Sequence, residues 1–358
     1  MANLLVPGRT ELAGNHTDHQ NGRVLASAIQ LNIQAVFSAN SESLVRIHNV
    51  GFPDISLRLS QLDVRPAEFG KSISLVRGVA AAFKNLGLQI GGFDAEISSS
   101  IPVGAGLSSS AAYSVLIARI FSILYNNSEV QDIVIARTAQ TAENVHFGKP
   151  CGLMSHLVCS VGHTVYADFK TNEIERIVDD FSDMGLTLCL TNTGSNHAGL
   201  NTSYARIPAD MSYVANLLDA AVLGDVSPEE FRSKGWDTSN RPVRRAQHFF
   251  EENERVPLMR DALKAHNGQE YIRLMNASGR SSETLLNNIV TSSTGDTRLL
   301  EGLEKSESLL DGIGAWRVHG GGFAGCVQAL MPTDFFPQYR AEMDKTFGND
   351  ACFPIHLV

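Results

Sequence analysis

The stretch Pro102-Val-Gly-Ala-Gly-Leu-Ser-Ser-Ser110-Ala-Ala decides the fold. Its glycines at positions 104 and 106 let the backbone approach a ligand closely, because they carry no side chain. Three serine hydroxyls follow at the start of a strongly apolar run, which predicts a helix from about Ser109 to Leu124. Since a helix N-terminus has free N–H groups and a positive dipole end, this loop is typical of a phosphate-binding site.

A flexible connector that ends in a serine helix cap is the alternative interpretation of the same loop. Two other nucleotide-binding loops are excluded. The chain has no GxxxxGK(S/T) pattern, and no GxGxxG follows the first predicted strand.

Outward from this loop, short apolar runs predict strands and runs at helical spacing predict helices. The predicted strands before the loop cover 23–37, 44–50, 54–63 and 93–97, and the predicted helices near it cover 74–88, 130–147 and 150–160. From about residue 208 the pattern is mostly helical, with two strand-like pieces that flank a triple glycine, Gly320 to Gly322. A strand-rich first half and a helix-rich second half predict an α+β fold with domains 1–185 and 186–358.

The composition is that of a soluble globular protein, with 358 residues, 43% hydrophobic and 19% charged content, and a net charge of -9. That charge argues against non-specific binding to nucleic acid or to anionic membranes. The cysteines are five in number and scattered without a CxxC pair, which predicts reduced thiols in a cytoplasmic protein and no zinc site. The N-terminus lacks the pattern of a signal peptide, and no apolar run approaches the ~20 residues of a membrane span.

Several stretches resemble motifs of the GHMP kinases (galactokinase, homoserine kinase, mevalonate kinase and phosphomevalonate kinase). The serine-rich loop is similar to the family's second motif, VPGRTELAGNHTDHQNG (6–22) resembles the galactokinase signature, and WRVHGGGFAGCVQAL (316–330) resembles the C-terminal glycine motif. Residues 141–154 and 203–211 are similar to galactokinase as well. The resemblance implies a two-lobed α+β kinase with its active site between the lobes, which transfers phosphate from ATP to galactose or a related hexose.

The resemblance also implies roles for single residues. Arg9 would face the transferred γ-phosphoryl group, and Ser110 and Glu143 would hold Mg²⁺ directly or through water. The implied ATP-binding residues are Pro102, Gly104, Ala105, Gly106, Leu107, Ser108, Ser109 and Ser110. The implied sugar-binding residues are Asn15, His16, Asp18, Gly152 and Tyr204, and Gly320, Gly321 and Gly322 would let the backbone pass close to the substrates. ATP and the sugar are the expected partners of a monomeric protein.

Taken singly, these residues have plainer interpretations. Arg9 and Glu143 are typical of solvated surface charges, NHTDHQNG of a turn, and the triple glycine of a hairpin link. Their joint placement in one family pattern favours the site.

The chain departs from the galactokinase pattern at the usual catalytic aspartate. Cys151-Gly-Leu-Met154 is followed by Ser155 and His156, where galactokinases carry Asp and Gln. A serine is not a base at neutral pH without a neighbour that activates it. Asn15 also stands where galactokinases usually carry Glu, and Glu11 where they usually carry Asn.

Three hypotheses follow from these departures. The first is an active sugar kinase for galactose or a close relative, since phosphoryl transfer depends mostly on positioning, metal and cation. The second is a galactokinase homologue that binds ATP and sugar with weak or no turnover. The third is a GHMP kinase for a different acceptor, such as an amino sugar or a non-sugar alcohol.

Overall fold

The computed structural model describes residues 1–102, 106–195, 199–290 and 295–358, without the side chain of Asn201. The strands are β1 (Ala2–Ala13), β2 (Arg23–Ala39), β3 (Leu44–Asn49), β4 (Ile55–Arg58), β5 (Phe93–Ser99), β6 (Thr164–Asp168), β7 (Glu173–Ile177), β8 (Leu186–Asn192), β9 (Ala315–Val318), β10 (Cys326–Pro332) and β11 (Cys352–Ile355). The α-helices are α1 (Ser72–Asn85), α2 (Ser109–Tyr125), α3 (Asp132–Thr141), α4 (Met154–Val161), α5 (Asn201–Asn216), α6 (Pro228–Ser233), α7 (Arg241–Lys264), α8 (Gly268–Ser281), α9 (Arg298–Leu310) and α10 (Phe336–Phe347). These elements confirm the predicted α+β class.

The chain forms two compact units whose segments alternate along the sequence. The first unit comprises Met1–Arg9, Ala28–Val103 and Leu107–His163, and the second comprises Thr10–Ser27, Gly104–Gly106 and Thr164–Val358. The predicted domain boundary near residue 185 stays a prediction.

In the first unit, β4, β3, β5 and the second half of β2 pair in that order. β3 runs parallel to β5, and the other two pairings are antiparallel. The side chains of β2 alternate here between buried Ile33, Ala35 and Phe37 and exposed Gln34 and Val36, because successive residues of a strand point to opposite faces. The sheet therefore presents one apolar face to the helices of this unit.

A cluster of aromatic rings fills the core of the first unit. Phe121 of α2 packs against Phe83 of α1 and Phe93 of β5, at ring-centroid distances of 5.7 and 5.4 Å. α1 also approaches the segment after α3 so closely that a Cβ at Gly78 would lie 2.7 Å from Ala142 Cα. This packing holds α1, α2, β5 and the segment after α3 together.

Helix α1 ends earlier than its apolar spacing predicts. The sequence predicts a helix to residue 88, whereas α1 ends at Asn85. Gly87 adopts the left-handed conformation, with φ at +74°, and the Leu88 N–H donates to the Phe83 carbonyl oxygen at 3.0 Å. A left-handed glycine of this kind closes a helix by satisfying its last carbonyl groups.

In the second unit, β11, β8, β10 and β9 form an antiparallel sheet in that order. The first residues of β2 pair with β6, and β6 pairs with β7. Helices α5 and α7 share a buried apolar cluster that includes Ile207, Met211, Phe249 and Phe250. The triple glycine lies in the link between the antiparallel strands β9 and β10, so it is part of a hairpin connection.

Two strands differ from the sequence prediction at the N-terminal end. β1 was not predicted, because Pro7 and Gly8 interrupt its apolar pattern, yet the strand runs through both residues. β4 covers only Ile55–Arg58 of the predicted strand at 54–63. Among the described residues, none of the helices combines the length and the apolar character that a membrane crossing needs.

Candidate active site

The candidate residues fall into two groups, one in each compact unit. The first unit contains Arg9, Leu107, Ser108, Ser109, Ser110, Glu143, Gly152 and Ser155, and also the exposed Pro102. The second unit contains Gly106, Asn15, His16, Asp18, Tyr204 and Gly320–Gly322. The predicted ATP-binding residues Gly104 and Ala105 lie outside the described residues.

The end of the serine-rich loop is fixed by a left-handed residue. Ser108 precedes α2 with φ at 62°, which is unusual for a residue with a side chain. Its hydroxyl makes no capping bond to α2 and instead donates to Ser155 Oγ at 3.0 Å. The alternative interpretation as a serine-capped connector therefore fails at Ser108, because that hydroxyl is directed at a candidate catalytic residue.

Arg9 contacts the same serine. Its Nε donates to Ser155 Oγ at 3.0 Å, and its backbone N–H donates to the Leu107 carbonyl oxygen at 3.3 Å. The Ser155 oxygen thus accepts from a guanidinium and from the Ser108 hydroxyl. Because both contacts draw on the lone pairs of Ser155, its oxygen is a poor proton acceptor, and this arrangement suits a positioning role.

Glu143 lies in the π-helical segment Ala142–Phe147, which follows α3. π-helical turns often occur at functional sites. The carboxylate is 2% exposed, and its Oε1 accepts from Ser110 Oγ at 2.8 Å and from Lys149 Nζ at 3.0 Å. Its Oε2 lies 2.8 Å from His156 Nε2. The structure therefore brings the two predicted metal ligands, Ser110 and Glu143, into direct contact.

Several forces act on the ionisation of Glu143. Burial alone would raise the pKa of its carboxyl group, but the hydrogen bond from His156 and the charge of Lys149 outweigh burial and hold that pKa well below its usual range. Glu143 is therefore ionised at neutral pH. An ionised carboxylate beside a serine hydroxyl offers the oxygen ligands that Mg²⁺ prefers.

His156 and Lys149 are partners of Glu143 that the sequence interpretation missed. The sequence marks His156 only as a departure from the galactokinase pattern, and the structure directs its buried ring at Glu143. Gly148 and Pro150 interrupt the chain between the two helices, so helical spacing could not bring these positions together. Half-buried Gly152 lies in the same connection, shortly before α4.

In the second unit, the candidate sugar-binding residues lie near the triple glycine. His16 has φ at 59°, and its Nε2 lies 3.1 Å from the Gly321 carbonyl oxygen. Burial lowers the pKa of His16 to about 4, so the ring is neutral at pH 7 and donates through Nε2. Half-buried Asp18 begins a short 3₁₀ helix, Asp18–Gln20.

The glycines are required by close packing around them. A Cβ at Gly321 would lie 2.9 Å from the Tyr204 ring, and a Cβ at Gly322 would lie 2.1 Å from the Asn288 carbonyl oxygen. The Tyr204 hydroxyl donates to the Gly322 carbonyl oxygen at 2.8 Å. Tyr204 is therefore tied to the glycine segment, and larger residues at 321 and 322 are excluded by sterics.

Asn15 is buried in a polar network that includes the carbonyl oxygen of Gly320. Its Nδ2 donates to Glu11 Oε1 at 3.0 Å and to the Gly320 carbonyl oxygen at 2.7 Å. Its Oδ1 accepts from Asn288 Nδ2 at 3.1 Å and from Ser282 Oγ at 3.3 Å. Both ends of the amide are therefore occupied by protein groups.

Glu11 is the charged member of this network. Its Oε1 accepts from Arg317 Nη2 at 2.9 Å, and the two side chains are 3% and 1% exposed. A buried carboxylate needs such a partner, since an unpaired charge in the interior is strongly disfavoured. The carboxylate at position 11 is thus neutralised by Arg317 and shared with the amide of Asn15.

Two family models match the chain. The model described as GHMP kinases N terminal domain matches residues 74–163, and the galactokinase galactose-binding signature matches residues 5–39. The first range contains Ser110, Glu143 and Ser155, and the second contains Arg9 and Asn15.

Curated relatives extend the similarity over nearly the whole chain. The galactokinase of Exiguobacterium sibiricum is 28% identical over 98% of this chain and 90% of its own length. The galactokinase of Bacillus subtilis is 28% identical over 94% of this chain and 86% of its own length.

Solved structures share the fold. Lactococcus lactis galactokinase complexed with galactose superposes with a TM-score of 0.86 at 24% identity, over 99% of this chain and 93% of its own. Methanococcus jannaschii mevalonate kinase gives a TM-score of 0.69 at 17% identity, over 100% of this chain and 98% of its own.

We expect Asn15→Glu to destabilise the protein by about 3–5 kcal/mol, because it places a second carboxylate beside Glu11 and removes two N–H donors. Glu11→Asn should also be destabilising, since it removes the nearer of the two carboxylates that pair with Arg317, at 2.9 Å against 3.9 Å for Glu252. In the double variant the amide at position 11 can donate to the carboxylate at position 15, so much of the loss should be recovered. Urea unfolding of the four proteins measures the coupling. Strictly additive losses would show that the two side chains do not act as a pair.

Proposed function

We propose that the chain is a GHMP kinase and, more closely, a galactokinase-like enzyme, which transfers the γ-phosphoryl group of ATP to the anomeric hydroxyl of galactose or a closely related hexose. The curated galactokinases that match it over most of its length support this reaction. So does the galactose-binding signature at residues 5–39. We also propose that it acts as a cytoplasmic monomer.

One observation carries the proposal. Within a single compact unit, Arg9 and Ser108 both hydrogen-bond Ser155, and Ser110 hydrogen-bonds Glu143. A cation, a serine-lined helix N-terminus and an ionised carboxylate are the parts that phosphoryl transfer needs. They occur in the unit that the GHMP kinase N-terminal domain model matches.

Each of these groups has a distinct role in the proposed reaction. The amides at the start of α2 would hold the ATP phosphates, and the Arg9 guanidinium would stabilise the negative charge that spreads over the γ-phosphoryl oxygens. Glu143 and Ser110 fit Mg²⁺ because both offer oxygen atoms, and exposed Lys149 can withdraw from Glu143 into solvent. When bound there, Mg²⁺ would neutralise charge on the phosphates.

The acceptor would be held by the residues of the galactokinase signature. His16 is neutral and half-buried, so it can exchange hydrogen bonds with sugar hydroxyls, and Asp18 can accept from them. Gly152 and Tyr204 are further candidate contacts. Asn15 would act chiefly by holding Gly320 in place, since its amide is already hydrogen-bonded on both ends.

The residue at position 155 affects the expected turnover rate of the proposed kinase. A positioned general base typically contributes ~10²–10⁴-fold in rate, and Ser155 supplies no such base. A loose phosphoryl-transfer transition state draws mostly on positioning and electrostatics, which this chain retains. We therefore propose a kinase that is active but slower than galactokinases with the aspartate.

The direct test is ADP release by the purified protein with Mg²⁺, ATP and a panel of hexoses, amino sugars and non-sugar alcohols. We expect release that depends on galactose or a close relative. Arg9→Ala should reduce kcat by roughly 10³-fold or more, because it removes the charge that faces the γ-phosphoryl group. The matched control Arg58→Ala removes an exposed arginine of β4 and should leave turnover unchanged.

Two outcomes would contradict the proposal. ATP and galactose binding without turnover on any acceptor would identify a binding homologue. A clear preference for an acceptor outside the hexoses would identify a GHMP kinase of different specificity.

Ser155→Asp should raise sugar-dependent kcat by at least about tenfold, because a carboxylate there can accept the proton of the sugar hydroxyl. Its oxygens would also accept from Arg9 and Ser108, which now bond the serine. Ser155→Asn is the matched control, since it has the same shape without the charge. An equal change in both variants, or none in Ser155→Asp, would contradict the assignment of position 155 to proton transfer.

A further inference from the structure

Glu143, Cys151 and His156 form a cluster of three different ligand types in the first unit, called here the Glu–Cys–His cluster. One carboxylate oxygen, the thiol sulfur and one imidazole nitrogen all lie within 4.8 Å of one another. Glu143 and His156 are buried, and Cys151 is half-buried. The proposed kinase reaction does not use the thiol, and it uses the imidazole only as a hydrogen-bond partner of Glu143.

Local structure brings these three groups close together, and the Cys151 thiol donates to Asn144 Oδ1 at 3.2 Å. Glu143 projects from the π-helical segment, and His156 projects from α4. Cys151 lies before α4, where its backbone N–H donates to Asn144 Oδ1 at 2.7 Å and its carbonyl accepts from Asn144 Nδ2 at 3.3 Å. Asn144 thus ties the backbone of Cys151 to the π-helical segment that carries Glu143.

The imidazole has a hydrogen-bonding atom to spare. His156 is 0% exposed, and its Nε2 contacts Glu143. Among the described residues, none provides a hydrogen-bond partner for His156 Nδ1. A buried polar atom without a partner is rare and needs an explanation. A neutral ring that binds a metal through one nitrogen carries its proton on the other, so the ring suits a ligand role.

We propose that the Glu–Cys–His cluster binds a borderline-soft divalent cation such as Zn²⁺, although the sequence contains no zinc motif. Thiolate, imidazole and carboxylate are the ligands of Zn²⁺, whereas Mg²⁺ avoids sulfur. Ligand atoms around a tetrahedral Zn²⁺ lie roughly 3.3–3.6 Å apart. Glu143 Oε2 and His156 Nε2, now 2.8 Å apart, would therefore separate by about 0.5 Å, and the Cys151 sulfur would approach them by about 1 Å. Three protein ligands leave the fourth position to water.

The proton balance of this binding is simple. The Cys151 thiol loses one proton to solvent as the S–Zn²⁺ bond forms, because the thiolate is the ligand. The proton that His156 Nε2 donates to Glu143 moves to Nδ1 of the same ring as Nε2 binds the metal, so the ring stays neutral. Glu143 is already ionised, and its Oε1 keeps the hydrogen bond from Ser110 while Oε2 faces the metal. No oxidant or reductant takes part.

A consequence follows for catalysis, and it rests on the proposed kinase function. Glu143 is also the carboxylate that would hold Mg²⁺. A cation bound by Cys151 and His156 would hold Glu143 away from the nucleotide metal. Zn²⁺ should therefore inhibit turnover at saturating Mg²⁺, and a chelator should reverse the inhibition.

Binding is tested without any activity measurement. The untagged, chelator-stripped full chain is titrated with Co²⁺ and Zn²⁺, and thiolate–Co²⁺ charge-transfer absorption is recorded alongside calorimetry. We expect one equivalent to bind with such a band. Cys151→Ser should abolish the band, and His156→Gln should weaken affinity at least about tenfold. His163→Gln, which removes an exposed histidine outside the cluster, should change neither.

The outcomes separate the two proposals. Metal binding that survives both Cys151→Ser and His156→Gln, in variants whose thermal unfolding matches the parent, would overturn the site. Absence of stoichiometric binding by the parent would overturn it as well. Binding with no inhibition of an active kinase would overturn the competition for Glu143. A protein that binds Co²⁺ through Cys151 but phosphorylates no acceptor would contradict the proposed kinase function and support metal binding by the Glu–Cys–His cluster.

Discussion

The first unit depends on one buried carboxylate, that of Glu143. Removing a carboxylate from water is strongly unfavourable unless charges and donors replace the lost solvation. Here Ser110 at the start of α2, Lys149 in the following connection and His156 on α4 supply them. These contacts join three segments of the chain and keep Glu143 ionised.

The second unit also contains a buried carboxylate, that of Glu11, which is paired with the Arg317 guanidinium. Glu11 and Arg317 form an ion pair in the interior, and Asn15 Nδ2 donates to both the Glu11 carboxylate and the Gly320 carbonyl oxygen. This network contacts the glycine segment at Gly320, and His16 contacts the same segment at Gly321. The exchange of Glu and Asn between positions 11 and 15, relative to the galactokinase pattern, thus leaves a carboxylate and an amide still bonded to each other.

Much of this could be predicted from the sequence, and the failures have physical causes. Periodicity predicted α2 within one residue, because its serine-rich start and apolar run are local signals. It does not predict β1, which pairs with β2 although Pro7 and Gly8 interrupt its apolar pattern. The motif resemblance selected Ser110 and Glu143 but not His156 or Lys149, since a π-helical turn and a proline-containing connection decide what Glu143 contacts. The buried pairing of Glu11 with Arg317 depends on residues 306 apart, which local patterns do not reveal.

Calorimetric titration of ATP with and without Mg²⁺, on the parent and on Glu143→Gln, tests whether ionised Glu143 couples nucleotide binding to Mg²⁺. We expect Mg²⁺ to strengthen ATP binding by the parent at least about tenfold, or about 1.4 kcal/mol, and Glu143→Gln to lose this gain while it retains metal-free binding. The same gain from Mg²⁺ in both proteins would show that Glu143 takes no part in this coupling.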